Sequence, residues 1–168
     1  MVIYMKFRLP IINLPFSFNS SRPPRAAEER TPPCSPREDA PSDTGNAPYV
    51  FHLDRAALNS TDYRRALWTG NKLQLVSMRI PQGEEIGEEI HPDTDQFIKI
   101  VSGSGVVTFT DEHTGKKTVL PISREYAALI PKGTRHNIKN TGRTPLILYS
   151  IYAPREHPYG TVQETKQS

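Results

Sequence analysis

The chain has 168 residues, 21 Lys+Arg against 18 Asp+Glu, and one cysteine, Cys34. A surplus of three scattered positive charges is too small for a nucleic-acid surface, and a lone cysteine excludes an internal disulfide or a cysteine-built zinc cage. No apolar run approaches the roughly 18 residues that a membrane span needs, so a soluble, cytoplasmic protein of one domain is expected, with no nucleic-acid or membrane partner.

Composition shifts near residue 48. Nine of the sixteen prolines lie in residues 1–48, and the stretch 19–47 is Ser, Pro, Arg and Glu with almost nothing to bury. Such a segment cannot offset its ordering entropy, and residues 1–48 are expected to form a disordered leader. Its first eighteen residues hold Lys6 and Arg8, no acid, and the apolar stretch Leu9–Phe16. Two readings stay open: organelle targeting through residues 1–20, or a dispensable tail upstream of a true start at Met5.

From residue 49 to 160 the chain reads as short strands separated by turn signals. Asp54–Leu58 is the one helical stretch, with Asp54 as its expected N-cap. Strands are predicted over Leu73–Ile80, Ile86–His91, Gln96–Ser102, Val106–Thr110, Lys116–Leu120, Tyr126–Ile130, Arg135–Asn140 and Pro145–Tyr152. Their punctuation is Pro81-Gln82-Gly83, Pro92–Asp95, Gly103-Ser104-Gly105, the hairpin loop Asp111–Gly115, Pro131-Lys132-Gly133 and Thr141-Gly142. This spacing predicts an all-β, antiparallel sandwich or barrel. Residues 161–168 are expected to be a flexible C-terminal tail.

Four polar residues of that barrel can converge. Glu89 and His91 are two apart on one predicted strand and share a face. Gln96 begins the strand returning from the Pro92–Asp95 turn, and His136 lies on a third strand just past Pro131-Lys132-Gly133. A carboxylate inside a barrel is costly without a partner, and either a metal or a cationic group would serve. Two imidazoles, a carboxylate and an amide oxygen suit a divalent transition metal: iron, manganese, nickel or zinc.

The spacing of these residues is specific. Gly83 is followed after five residues by Glu89-Ile90-His91, after four more by Gln96, and after six more by Gly103. Pro131-Lys132-Gly133 is followed after two residues by His136 and after three more by Asn140. In both runs the chain resembles the two motifs of the cupin superfamily, over about residues 49–160. The resemblance implies a single small jelly-roll barrel, or double-stranded β-helix, of the cupin-2 sort. It also implies a metal held by Glu89, His91, Gln96 and His136, and a homodimer. Three positions depart from the motifs. Glu89 stands for the first His, Gln96 for the Glu, and Glu125 for the Gly that opens the second motif. The first two exchanges move a carboxylate without changing the charge of the ligand set, as a retained metal site would require.

His113 in the hairpin tip is expected at the surface, His157 in Pro154–Pro158 at the surface or bordering the barrel mouth, and Glu84, Glu85 and Glu88 at a solvated rim. Three functions follow from the resemblance. One is a metal-dependent enzyme on a small oxygen-bearing metabolite, an oxygenase or a sugar-phosphate-isomerase-like enzyme. Another is a metal-free module binding a small-molecule ligand such as a sugar or carboxylate. The third is a storage role, which the short chain disfavours.

Overall fold

Residues 43–166 are described by the structure, a computed structural model. The expected leader and its targeting segment lie outside the described residues as far as residue 42. The elements run α1 (Leu53–Asn59), β1 (Arg64–Thr69), β2 (Gln74–Ile80), β3 (Asp95–Ser102), β4 (Ser104–Thr110), β5 (Lys117–Ser123), β6 (Ala127–Ile130), β7 (Arg135–Asn140), β8 (Leu146–Ala153) and β9 (Val162–Gln163). They form a six-stranded sheet, β6-β3-β8-β2-β1-β9, and a three-stranded sheet, β5-β4-β7. All named pairings are antiparallel.

The two sheets face one another over a shared core, which makes the all-β jelly roll that the strand spacing predicts. Val76, Met78, Ile98, Ile100 and Leu148 from the larger sheet pack with Val107, Ile122 and Ile138 from the smaller. β7 shows the alternation that this needs: His136, Ile138 and Asn140 are buried, while Arg135, Asn137 and Lys139 are less so. β2 and β8 are buried on both faces, because the outer face of the larger sheet carries a second cluster. There Ala56 and Ala57 of α1 cover Leu67, Leu75, Ile147 and Tyr149. That double burial explains the near-continuous apolar run of β8.

Local chemistry sets the joints. Gly103 turns β3 into β4 at φ 86, where a Cβ would stand 2.6 Å from the Pro145 carbonyl oxygen. Asn140, fully buried, donates to the carbonyls of Ile80, Pro81 and Thr144 and accepts from the Gly142 N–H, so it ties the turn after β2 to the β7–β8 turn at one end of the barrel.

Four elements differ from expectation. α1 is capped by His52, whose Nδ1 accepts from the Arg55 N–H, and Asp54 sits inside its first turn. β1 has no period-two signal because a bulge between Ala66 and Trp68 buries Ala66 and Leu67 in succession. The expected tail contributes β9, with Val162 opposite Arg65 and Gln163 opposite Arg64. The expected strand Ile86–His91 forms no continuous ladder: with Glu85 before it, it meets β7 at two isolated bridges and through the Ile86 N–H on the Ile138 carbonyl.

Candidate metal centre

That broken segment is what builds the site. Its two bridges are Glu85 to Lys139 and Glu89 to His136. Between them the ladder opens at Gly87, φ 97, whose N–H donates to the Asn137 side chain. At the second bridge, Glu89 and His136 exchange both backbone hydrogen bonds, at 2.9 and 3.0 Å. They are directly opposed, so their side chains share a face. His91, two residues on, shares it too, and its carbonyl accepts from the Gly133 N–H at 2.7 Å.

Glu89, His91 and His136 thereby each offer one ligand atom, and the three atoms lie within 4.8 Å of one another. Gln96 comes from the larger sheet. It opposes Tyr152 in the β3–β8 register, and the Tyr152 ring meets the His91 ring edge-on at 5.6 Å. Gln96 is thus the ladder neighbour of the ring that meets His91, and it is 3% exposed.

Each of the four side chains is fastened by one atom and leaves another without a close partner. The Arg64 guanidinium donates to Glu89 Oε1 at 3.0 Å, leaving Oε2 on the side of His91, 3.6 Å from its Nε2. His91 Nδ1 donates to the Glu156 carboxylate at 3.1 Å. His136 Nδ1 donates to the Thr134 carbonyl at 2.9 Å. Gln96 Nε2 donates to Ser150 Oγ at 3.1 Å. Because a carbonyl or carboxylate can only accept, both Nδ1 atoms carry the proton. Among the described residues, His91 Nε2, His136 Nε2 and Gln96 Oε1 are buried with no hydrogen-bond partner.

The electrostatics separate the two imidazoles: the neighbouring carboxylates favour the protonated ring at His91, and burial favours the neutral ring at His136. Burial alone would raise the Glu89 carboxyl, but His91 and the Arg64 charge outweigh it, and its pKa falls below the usual carboxylate range. Burial would lower His91, but Glu89 and Glu156 outweigh it and raise its pKa. Burial lowers the pKa of His136, which favours the neutral ring with a free Nε2 lone pair.

Reasoning from the sequence missed all three of these fastening side chains, Arg64, Glu156 and Ser150. Arg64 lies on the bulged β1, which gave no strand signal. Glu156 sits between Pro154 and Pro158 just past β8, and only those flanking prolines hinted at a fixed loop. Of the two places open to His157, the ring takes the one bordering the barrel interior: it packs edge-on against Tyr152 at 5.1 Å, with Nε2 buried. Burial and the Arg64 charge lower its pKa to about 4. His113 is exposed as expected.

Comparison with known proteins agrees with this fold. The chain is 45% identical to the uncharacterized protein YrkC of Bacillus subtilis over 124 residues, 74% of this chain and 67% of that one. It is 37% identical to the uncharacterized protein L612 of Acanthamoeba polyphaga mimivirus, over 70% of this chain and 72% of that one. The crystal structure of BH2720 from Bacillus halodurans superposes with a TM-score of 0.71 at 46% identity, over 74% of this chain and 95% of that one. The sequence profile of the cupin domain matches residues 76–152, from β2 to the end of the buried part of β8. The chain belongs to the cupin family.

Proposed function

We propose that this cupin binds a divalent transition metal through Glu89, His91, Gln96 and His136, and holds a small oxygen-bearing metabolite at that metal. The carrying observation is the set of buried acceptors without hydrogen-bond partners: His91 Nε2, His136 Nε2 and Gln96 Oε1. A buried acceptor left unpaired costs about 1–3 kcal/mol. Three in one place are a poor solution for a structural core and a good one for a cation. Iron, manganese, nickel and zinc all fit two imidazoles, a carboxylate and an amide oxygen. When bound, the metal supplies Lewis-acid polarisation of a ligand oxygen. Arg64 orients Glu89, the Thr134 carbonyl orients His136, and the apolar layer beneath keeps the interior dry.

The Arg64–Glu89 pair favours a second reading. Glu89 already has a cationic partner, so its burial does not itself demand a metal. A metal-free barrel binding a sugar or carboxylate would use the same pair. We further propose a homodimer, which the exposed Tyr126 and Leu129 near and on β6 and the exposed Val119 and Leu120 on β5 support.

The deciding experiment is elemental analysis of the whole protein, purified beside a His136→Ala variant and each reconstituted with Fe, Mn, Ni and Zn. Near-stoichiometric metal, lost in the variant, is expected. Metal on neither protein would reject the metal site and leave the metal-free binder.

A further inference from the structure

We infer that Glu156 is a positioning residue for His91, and that the buried Gln74 fixes the loop carrying it. The inference rests on the metal reading above and concerns residues outside the four ligands.

Three of those ligands, Glu89, His91 and His136, come from β7 and the segment beside it. Glu156 arrives from elsewhere, on the loop that follows β8 of the opposite sheet. Its Oε1 accepts from His91 Nδ1 at 3.1 Å, which leaves Nε2 as the atom offered to the site. A carboxylate behind a ligating imidazole fixes the ring and its tautomer and raises the donor strength of the far nitrogen.

A carboxylate on an exposed loop does this only if the loop is held. Gln74 holds it. Its side chain is fully buried, and both ends of its amide engage one residue of the loop. Oε1 accepts from the His157 N–H at 2.9 Å, and Nε2 donates to the His157 carbonyl at 3.0 Å. Nε2 also donates to Thr69 Oγ1, and Thr69 donates to Asp43 Oδ2, which accepts in turn from the Gly160 N–H at 2.9 Å. The loop is thus pinned at residues 157 and 160, and Glu156 is the immediate neighbour of the first pin. A buried amide spent on one main-chain unit is a costly device unless the position of that unit matters. The hydrogen bonds run from Gln74 to the His157 main chain, and Glu156 carries the constraint to His91.

The test measures Mn²⁺ and Zn²⁺ dissociation constants of the full chain by chelator competition, with thermal unfolding of the metal-free proteins alongside. Glu156→Leu is expected to weaken binding by about 10- to 100-fold. Its metal-free unfolding temperature should fall only slightly, by the loss of one partly exposed ion pair to His91. Glu156→Gln keeps an acceptor for Nδ1 and should recover part of the affinity, a rescue that a bystander residue would not show. Gln74→Met should weaken binding as well, and the double variant should bind no more weakly than Glu156→Leu alone. Metal bound as tightly by Glu156→Leu as by the native chain overturns the inference and leaves the four-ligand site standing. Full additivity in the double variant overturns the role of Gln74. If the native chain takes up no metal, both the site and this inference fall.

Discussion

The two ends of the barrel interior are built from the same strands and do opposite work. On β2 the inward residues run Gln74, Val76, Met78, Ile80; on β8, read backwards, Tyr152, Ser150, Leu148, Leu146; on β3, Gln96, Ile98, Ile100. Register aligns Gln74, Tyr152 and Gln96 in one layer and Met78, Leu148 and Ile100 in another. The first layer meets Glu89, His91 and His136; the second is closed by apolar side chains. Each strand therefore carries a stabilising end and a chemical end, and a shift of two residues along it changes the role of a side chain.

Truncation at the closed end should have the largest effect. Leu148 is 1% exposed in the apolar layer, and Leu148→Ala should cost about 3–5 kcal/mol through lost burial and the cavity left behind. Urea midpoints of the metal-free proteins measure this. At the other end of the same register, Gln96→Leu should change stability by less than about 1 kcal/mol, because a lost hydrogen bond to Ser150 is offset by removing a buried unpaired carbonyl. Metal uptake should fall in the second variant and hold in the first. Equal losses of stability at both ends would break the comparison.

The closed end and the candidate site residues are legible in the sequence, for different reasons. Strands such as β7 and β8 carry strong apolar patterns, and both motifs keep fixed spacings around tight turns, so His136 and Gln96 could be placed without coordinates. What stayed hidden depends on contacts distant along the chain. Arg64 reaches Glu89 across 25 residues from a bulged strand, and Gln74 reaches His157 across 83. Nothing local marks either partner. The turn signals Pro81–Gly83 and Pro92–Asp95 bracket Ile86–His91 and predict a strand there. Gly87 breaks the ladder with a side-chain hydrogen bond that spacing cannot show. Asn140, a motif residue, turned out to serve the closed end rather than the site.

A smaller effect comes from His157 at the chemical end. Its pKa is lowered to about 4, by burial first and then by the Arg64 charge, against an unfolded value near 6.5. Between those values the unfolded chain holds more protons than the folded one, so stability rises with pH across that window. The contribution is complete above about pH 6.5 and lost as pH falls through about 4. After discounting for partial exposure, it should be of order 1–2 kcal/mol. His91, raised by its carboxylates, works in the opposite direction, so the native curve alone does not isolate the effect. The slope of urea-derived stability against pH should be flatter in His157→Gln than in the native chain, both metal-free. Parallel slopes would mean that the ring is solvated at both ends of the titration.

The smallest effect lies away from both ends, where the chain departs from its family's second motif. Glu125 takes the place of the motif's opening glycine, and its backbone keeps the conformation that glycine would adopt, φ 71. It is the third residue of the turn Ser123–Tyr126, closed by the Tyr126 N–H on the Ser123 carbonyl at 3.0 Å, the position where a type II turn calls for glycine. A left-handed non-glycine residue costs about 1–2 kcal/mol, and glycine returns part of that gain through its freer unfolded chain. Glu125→Gly should therefore stabilise by about 0.5–1 kcal/mol. The carboxylate's contacts with Lys99 at 3.8 Å and Arg124 at 3.4 Å are exposed on the Glu125 side and offset little of this. Glu125→Ala is the control, since it removes the same ion pairs without relieving the backbone. Stabilisation by glycine and not by alanine would place the cost in the turn itself. Destabilisation by both would mean that Lys99 and Arg124 hold this corner through the side chain, and that the exchange of glycine for glutamate had been matched by new contacts.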